Sequence, residues 1–202
     1  MLSTNPELLA YAQNQVENSC EVKRKLTPAF LAKVCSLAER TCESLLQGGC
    51  IFFCGNGGSA ADAQHLAAEF VGRFKLERKP LPSMALTTNT SLITAIANDY
   101  GYEQVFARQI RAFAKPGDIL FAISTSGNSP SILIAVKEAK PLGVHTVGLT
   151  GLSGGKLKED VDVLLNTPSD ETPRIQESHI LIGHIFCDLV ETLWKKADQS
   201  GL

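Results

Sequence analysis

The chain has 202 residues, 44% of them hydrophobic and 20% charged, with a formal net charge of −2. That balance suits one globular unit with a full core, and without a basic stripe interleaved with aromatics it argues against nucleic-acid binding through phosphates. No apolar run approaches the length of a membrane span, and the opening MLSTNPELLA lacks the basic region and apolar stretch of a secretory leader, so no membrane association is expected.

From Asn5 to about Gln47 the pattern is helical. A first helix is expected over Pro6 to Cys20. A second starts at Thr27 and Pro28, carries Phe30, Leu31, Val34, Leu37, Leu45 and Leu46, and stops at Gly48 and Gly49. Long apolar helices ahead of the first strand read as packing between subunits. Residues 1–48 are therefore expected to form an oligomerisation segment ahead of one compact unit over 49–202. The six cysteines, Cys20, Cys35, Cys42, Cys50, Cys54 and Cys187, include no CxxC pair. Free, mostly buried thiols point to a reducing cytoplasm.

Ile51 to Cys54 is a short bulky run suited to a strand buried on both faces. Gly55, Gly57 and Gly58 then allow close backbone approach to a ligand, Ser59 is a natural N-cap, and Asp62, His65, Glu69 and Arg73 recur at helical spacing. A bland alternative attaches to each piece: a connecting turn, a satisfied histidine, a solvated i,i+4 pair worth a few tenths of a kcal/mol. Their conjunction behind a polar glycine turn favours a site.

Downstream, strands are expected over Ser83–Leu86, Asp118–Ile123, Val144–Leu149 and Val161–Leu165. Helices are expected over Ser91–Asn98, Glu103–Ala114 and Pro130–Leu142, with a short one near Lys156 and a long one over Thr172–Lys196. The alternation predicts an α/β fold: a doubly wound, five-stranded parallel sheet in three layers. Ser124, Thr125, Ser126, Gly127, Asn128 and Ser129, just ahead of Pro130, place hydroxyls and free N–H groups at a helix start, which suits phosphate without lysine. A dinucleotide site would need an acid ending the second strand, which instead reads Leu86, Thr87, Thr88, Asn89. Two polar loops at strand carboxyl ends suggest a crevice for a small phosphorylated polyol. On the last helix Gln176, His179, His184 and Glu191 interrupt an apolar pattern. With His65 and Glu69 they offer groups able to bind zinc or move protons.

The strings CGNGGSAADAQHLAAEFVGRF, AIANDYGYE, ISTSGNSPSI and RIQESHILIGHIFCDLVE together resemble the phosphoheptose isomerases, enzymes of the sugar-isomerase (SIS) domain class. The resemblance implies a cytoplasmic homotetramer that converts D-sedoheptulose 7-phosphate to D-glycero-D-manno-heptose 7-phosphate for lipopolysaccharide-core or related heptose biosynthesis. It implies substrate contacts from Asn56, Gly57, Gly58, Asn98, Asp99, Ser124, Thr125, Ser126, Ser129 and Gln176, to which His65, Glu69 and Arg73 of the first helix face are added. It also implies one zinc ion per subunit, held by His65, Glu69, Gln176 and His184. Glu69 and His184 are assigned as the acid–base pair. Pro173 departs from the aspartate that some members carry there.

A rival class, the replication-initiator-associating SIS tetramers, shares the GNG-SA-AQH and RIQE patterns. It lacks Glu and His at the positions of Glu69 and His184 and alters the STSGNS loop, all of which this sequence keeps. A regulatory SIS domain fused to a DNA-binding domain is not expected within 202 residues. Gln176 and His184 would be separated by roughly 12 Å of rise and about 80° on a regular helix. Glu69 and His184 of one working site are therefore expected to come from different chains.

Overall fold

The uninterrupted apolar runs become the strands of a parallel sheet in the computed structural model, which describes residues 5–199. Residues 1–4, the start of the stretch read for a leader, and residues 200–202 lie outside that description. The strands are β1 (Ile51–Gly55), β2 (Ser83–Ala85), β3 (Ile119–Ile123), β4 (His145–Thr150) and β5 (Val163–Asn166). They are ordered β2-β1-β3-β4-β5, every pair parallel. All five residues of β1 and of β3 are buried, so neither strand could show a polar–apolar alternation in the sequence.

Alternate strand residues feed two separate cores. Ile51, Phe53, Phe121 and Val147 face α2 (Pro28–Leu46), α3 (Gly58–Val71) and α7 (Thr172–Gln199). Phe52, Cys54, Leu120 and Ala122 face α4 (Thr90–Tyr100), α5 (Ala107–Phe113) and α6 (Pro130–Ala139). The result is the expected three-layer sandwich. The helix expected over Glu103–Ala114 is instead a 3-10 turn, Tyr102–Gln104, followed by α5. Val105, Phe106 and Ala107 are consecutive and all buried, which one continuous helix face cannot achieve.

The first two helices begin as their sequences dictate. Asn5 and Thr27 accept hydrogen bonds from the N–H groups of Glu7 and Phe30, with Pro6 and Pro28 in the first turns. Their partners differ. α2 buries Val34, Leu37, Ala38 and Leu45 in the core of its own chain. α1 (Pro6–Arg24) buries only Ser19 and Val22, and leaves Leu8, Leu9, Tyr11 and Val16 exposed. It is tied to α7 mainly by polar contacts: Arg174 donates to the Gln15 carbonyl, and Ser19 Oγ to Glu177.

α3 and α7 lie side by side on the same sheet face and run in the same direction. Gly58 adjoins Gln176, Leu66 adjoins Gly183, and Phe70 packs on Phe186. Two glycines permit this approach: a Cβ on Gly183 would sit 2.5 Å from Leu66 Cδ2, and one on Gly58 2.2 Å from Gln176 Nε2.

Candidate active site

In the sheet order the chain leaves β1 to one side for β2 and returns to the other side for β3, so the crevice between the ends of β1 and β3 is a topological switch point. Both polar loops open there. Asn56, directly after β1, donates from Nδ2 to Ser131 Oγ at 3.0 Å, and its Oδ1 accepts from the Tyr102 hydroxyl at 2.8 Å. Ser124 and Ser129 Oγ lie 3.1 Å apart. The helix after the first loop starts at Gly58, with Gly57 (φ 55°) as its N-cap, rather than being capped by Ser59, which is buried in the first turn. Neither α3 nor α6 has a side-chain cap, so both helix N-termini are free to receive an anion. Thr125 and Ser126 line a cavity of about 550 Å³ shared with Gly151, Ser153 and Asp170.

Farther along α3 lies a second cluster. His65 Nε2 is 3.2 Å from Glu69 Oε1 and 2.8 Å from His184 Nε2, and the ligand-capable atoms of all three lie within 4.8 Å of one another. His65 is about half exposed, while Glu69 is sunk beside it at 19% side-chain exposure. The Phe74 ring covers His184, with centroids 5.5 Å apart and an interplanar angle of 32°. One turn before His65, Asp62 Oδ2 is buried without a hydrogen-bond partner. Burial raises the Asp62 carboxyl to about 6 despite the opposing pull of His65.

These contacts lie within one chain, so the expectation that Glu69 and His184 are drawn from different chains is corrected. The pair meets because α3 and α7 run parallel, a relation invisible in helix spacing. Gln176 is not part of the trio in this chain: it touches Gly58 at the start of α3, roughly 12 Å of helix rise before His184. Arg73 also leaves the expected face. α3 ends at Val71, and Arg73 instead pairs in the open with Glu77 at 3.8 Å. Asn98 Nδ2 donates to Asp99 Oδ1 on the exposed last turn of α4, where Asp99 borders a cavity with Tyr100 and Arg108. No spacing or residue type in the sequence marks Ser131, Tyr102 or Phe74 individually, although all three lie inside the strings that carry the resemblance. A cavity of about 590 Å³ lies between α2 and the beginnings of β4 and β5, near His145 and Asp162. It is at the opposite end of the sheet from both loops, and the convergence of polar groups decides for the switch point.

The SIS domain family matches residues 16–151. A phosphoheptose isomerase from Roseiflexus sp. is 50% identical over 191 residues, covering 95% of this chain and 97% of its own. The chain belongs to the phosphoheptose isomerases of the SIS family. A second relative of that name, from Clostridium acetobutylicum, is 49% identical over 90% of this chain and 93% of its own. The solved phosphoheptose isomerase GmhA from Neisseria gonorrhoeae superposes with a TM-score of 0.86 at 43% identity, covering 92% of this chain and 99% of that one. The string that carries both His65 and Glu69, and the STSGNS loop, fall inside the matched SIS segment; His184 lies beyond it on α7.

Between the trio and the second loop sits His179, fully buried, with Nε2 3.1 Å from the Thr150 carbonyl and Nδ1 unpartnered. Burial lowers its pKa from 6.5 to about 4, against the opposing effect of the bond to Thr150. As the pH falls below about 6.5 the unfolded chain binds a proton that the folded chain refuses, so stability is lost between about pH 6.5 and pH 4. In urea unfolding the parent should lose about 2 kcal/mol between pH 7 and pH 5 from this group alone. His179→Gln should remove that part of the slope.

Proposed function

We propose that this phosphoheptose isomerase converts D-sedoheptulose 7-phosphate to D-glycero-D-manno-heptose 7-phosphate, in the cytoplasm, for bacterial heptose and lipopolysaccharide-core biosynthesis. The observation that carries the reading is the pairing of an anion-ready crevice at the β1/β3 switch point with a carboxylate and an imidazole farther along α3 and α7. The relatives' names supply the sugar. The Ser124–Ser129 loop and the uncapped start of α6 grip the phosphate, with Ser124, Thr125, Ser126 and Ser129 as hydroxyl donors. Asn56, Gly57 and Gly58 offer donors from the first loop, and Gln176, beside Gly58, orients the chain of hydroxyls. Asn98 and Asp99 complete the substrate contacts when the sugar spans the crevice. Arg73, solvent-exposed, serves at most as a mobile cation at its rim.

The isomerisation removes a proton from C1 of the ketose while the C2 carbonyl oxygen gains one, giving the enediol; a proton is then returned to C2 as the O1 hydroxyl gives up its own and C1 becomes the aldehyde. Two groups are needed, one to take and one to give, and Glu69 and His184 fill those places. Holding the distant phosphate fixes the reacting carbons, so binding energy is used where no bond changes.

His65, Glu69 and His184 supply two imidazole nitrogens and one carboxylate oxygen within 4.8 Å, the donor set of a catalytic zinc with an open position. We assign one zinc per subunit to these three, with Gln176 as a ligand only if α7 or a neighbouring chain brings it closer. The ion, when bound, would polarise the carbonyl and hydroxyl oxygens of the sugar. The exposed Leu8, Leu9, Tyr11 and Val16 of α1 support assembly into a homotetramer through that helix.

Incubation with sedoheptulose 7-phosphate should yield an aldoheptose 7-phosphate, and Glu69→Gln should slow its formation by roughly 10²–10⁴ with the fold intact by circular dichroism. A variant within about threefold of the parent would exclude Glu69 from the chemistry. Chelator treatment should abolish activity and stoichiometric zinc restore it; full activity in protein shown by elemental analysis to be metal-free would leave His65 a structural residue. Replacing Leu8 and Tyr11 by glutamate should lower the sedimentation mass below that of the parent assembly; an unchanged mass would remove α1 from the interface.

A further inference from the structure

Directly beyond Glu69 the chain leaves α3 and makes a loop, Gly72 to Lys79, whose polar groups converge on two side chains from distant parts of the sequence. Arg78 is 4% exposed and Glu191, on α7, 1% exposed. The Arg78 guanidinium caps the C-terminal end of α3: Nη2 donates to the Glu69 carbonyl at 2.7 Å, and Nη1 to the carbonyls of Phe70, Gly72 and Lys79 at 2.9, 3.2 and 3.1 Å. These include carbonyls a helix end otherwise leaves unpaired. The Glu191 carboxylate receives three consecutive backbone N–H groups, Phe74 at 3.0 Å, Lys75 at 2.7 Å and Leu76 at 2.8 Å. Arg78 Nε lies 3.1 Å from Glu191 Oε1, an ion pair off the line of a hydrogen bond.

A buried ion pair offsets its desolvation cost through the hydrogen bonds its atoms make; here both Nη atoms and both carboxylate oxygens are bonded, and Nε faces the carboxylate without a hydrogen bond. What these particular bonds hold is the reacting trio. The carbonyl that Arg78 grips most closely belongs to Glu69 itself. The loop that Glu191 grips presents Phe74, whose ring lies on His184. Glu191 follows His184 by seven residues, two turns of the same helix. The connection therefore runs from Glu69 through Arg78 and Glu191 to α7 and back to His184.

We propose that the Arg78–Glu191 pair is a positioning device that sets the separation of Glu69 and His184, and so the rate of proton transfer rather than the affinity for sugar phosphate. The proposal rests on the reading of Glu69 and His184 as the acid–base pair. Neither Arg78 nor Glu191 is in the crevice, and neither touches the loops assigned to the phosphate.

The test uses charge-conserving variants, because removing either charge would leave the other buried alone. Arg78→Lys retains the cation but cannot span four carbonyls with one ammonium. It should lower kcat by about 10–100-fold while KM stays within about threefold. In a Glu69→Gln background the same substitution should cost less than about twofold, since a misplaced base that is already absent cannot be misplaced again. Glu191→Asp, one methylene shorter, should show the same pattern, and the imidazole resonances of His184 should shift in both variants. A parent-like kcat in Arg78→Lys, or losses that add fully in the Glu69→Gln background, would overturn the positioning role while the trio's own role stands. A Glu69→Gln variant as active as the parent would overturn the trio and the proposal with it. If neither charge-conserving variant folds, hydrogen exchange on the parent decides. Amides of Phe74, Lys75 and Leu76 that exchange as slowly as those inside α3 support the clamp, and amides that exchange like open loop refute it.

Discussion

The meeting of His65, Glu69 and His184 depends on one packing relation, the parallel contact of α3 with α7 on a single face of the sheet. Phe70 on Phe186 and Leu66 against Gly183 fix the two helices in lateral register, and that register brings His65 to His184. A shift of one helical residue along either axis would rotate these side chains by about 100° and separate them. The close approach at Gly183 is what makes the contact short enough: Leu66 occupies the space a side chain there would need.

The sheet imposes a complementary constraint. Parallel strands deliver all their carboxyl ends to one side, and the reversal of strand order between β1 and β3 leaves a crevice there that no crossover helix covers. Both polar loops open into it, the first tied to the start of α6 by the bond from Asn56 to Ser131. On the proposed reading, the loops that hold the phosphate and the groups that carry protons lie on separate elements, joined through α3, whose N-terminus belongs to the first and whose middle to the second. Such a division lets binding energy far from the reacting carbons hold them in place.

Stability is given up locally to build this arrangement. His179 is held neutral in the core with one ring nitrogen unpartnered, Asp62 keeps a buried oxygen unpaired, and Arg78 and Glu191 are charged groups withdrawn from water. Two apolar cores, one on each sheet face, carry these costs; in the inner faces of β1 and β3 no polar side chain intervenes. The polar groups differ in how they are compensated. The Arg78–Glu191 pair is hydrogen-bonded through both Nη atoms and both carboxylate oxygens, with Nε left without a hydrogen bond, whereas His179 is compensated by remaining uncharged.

The sequence by itself determined the fold class, the five strands and both glycine loops, because buried parallel strands, helix starts at Pro and loops rich in small hydroxyl residues each write a local pattern. It also named His65, Glu69 and His184 as chemically apt. What it could not contain was which helices are neighbours and in which direction they run. That is why helix spacing alone places Glu69 and His184 in different chains and Arg73 on a helix face that in fact ends at Val71, and why Arg78, an arginine in a charged loop with no pattern of its own, carries no signal in the sequence. Helical periodicity reports one element's face, over about a turn or two, while the meeting of side chains more than a hundred residues apart is fixed by the packing of the whole sheet face. Only the tertiary structure decided that.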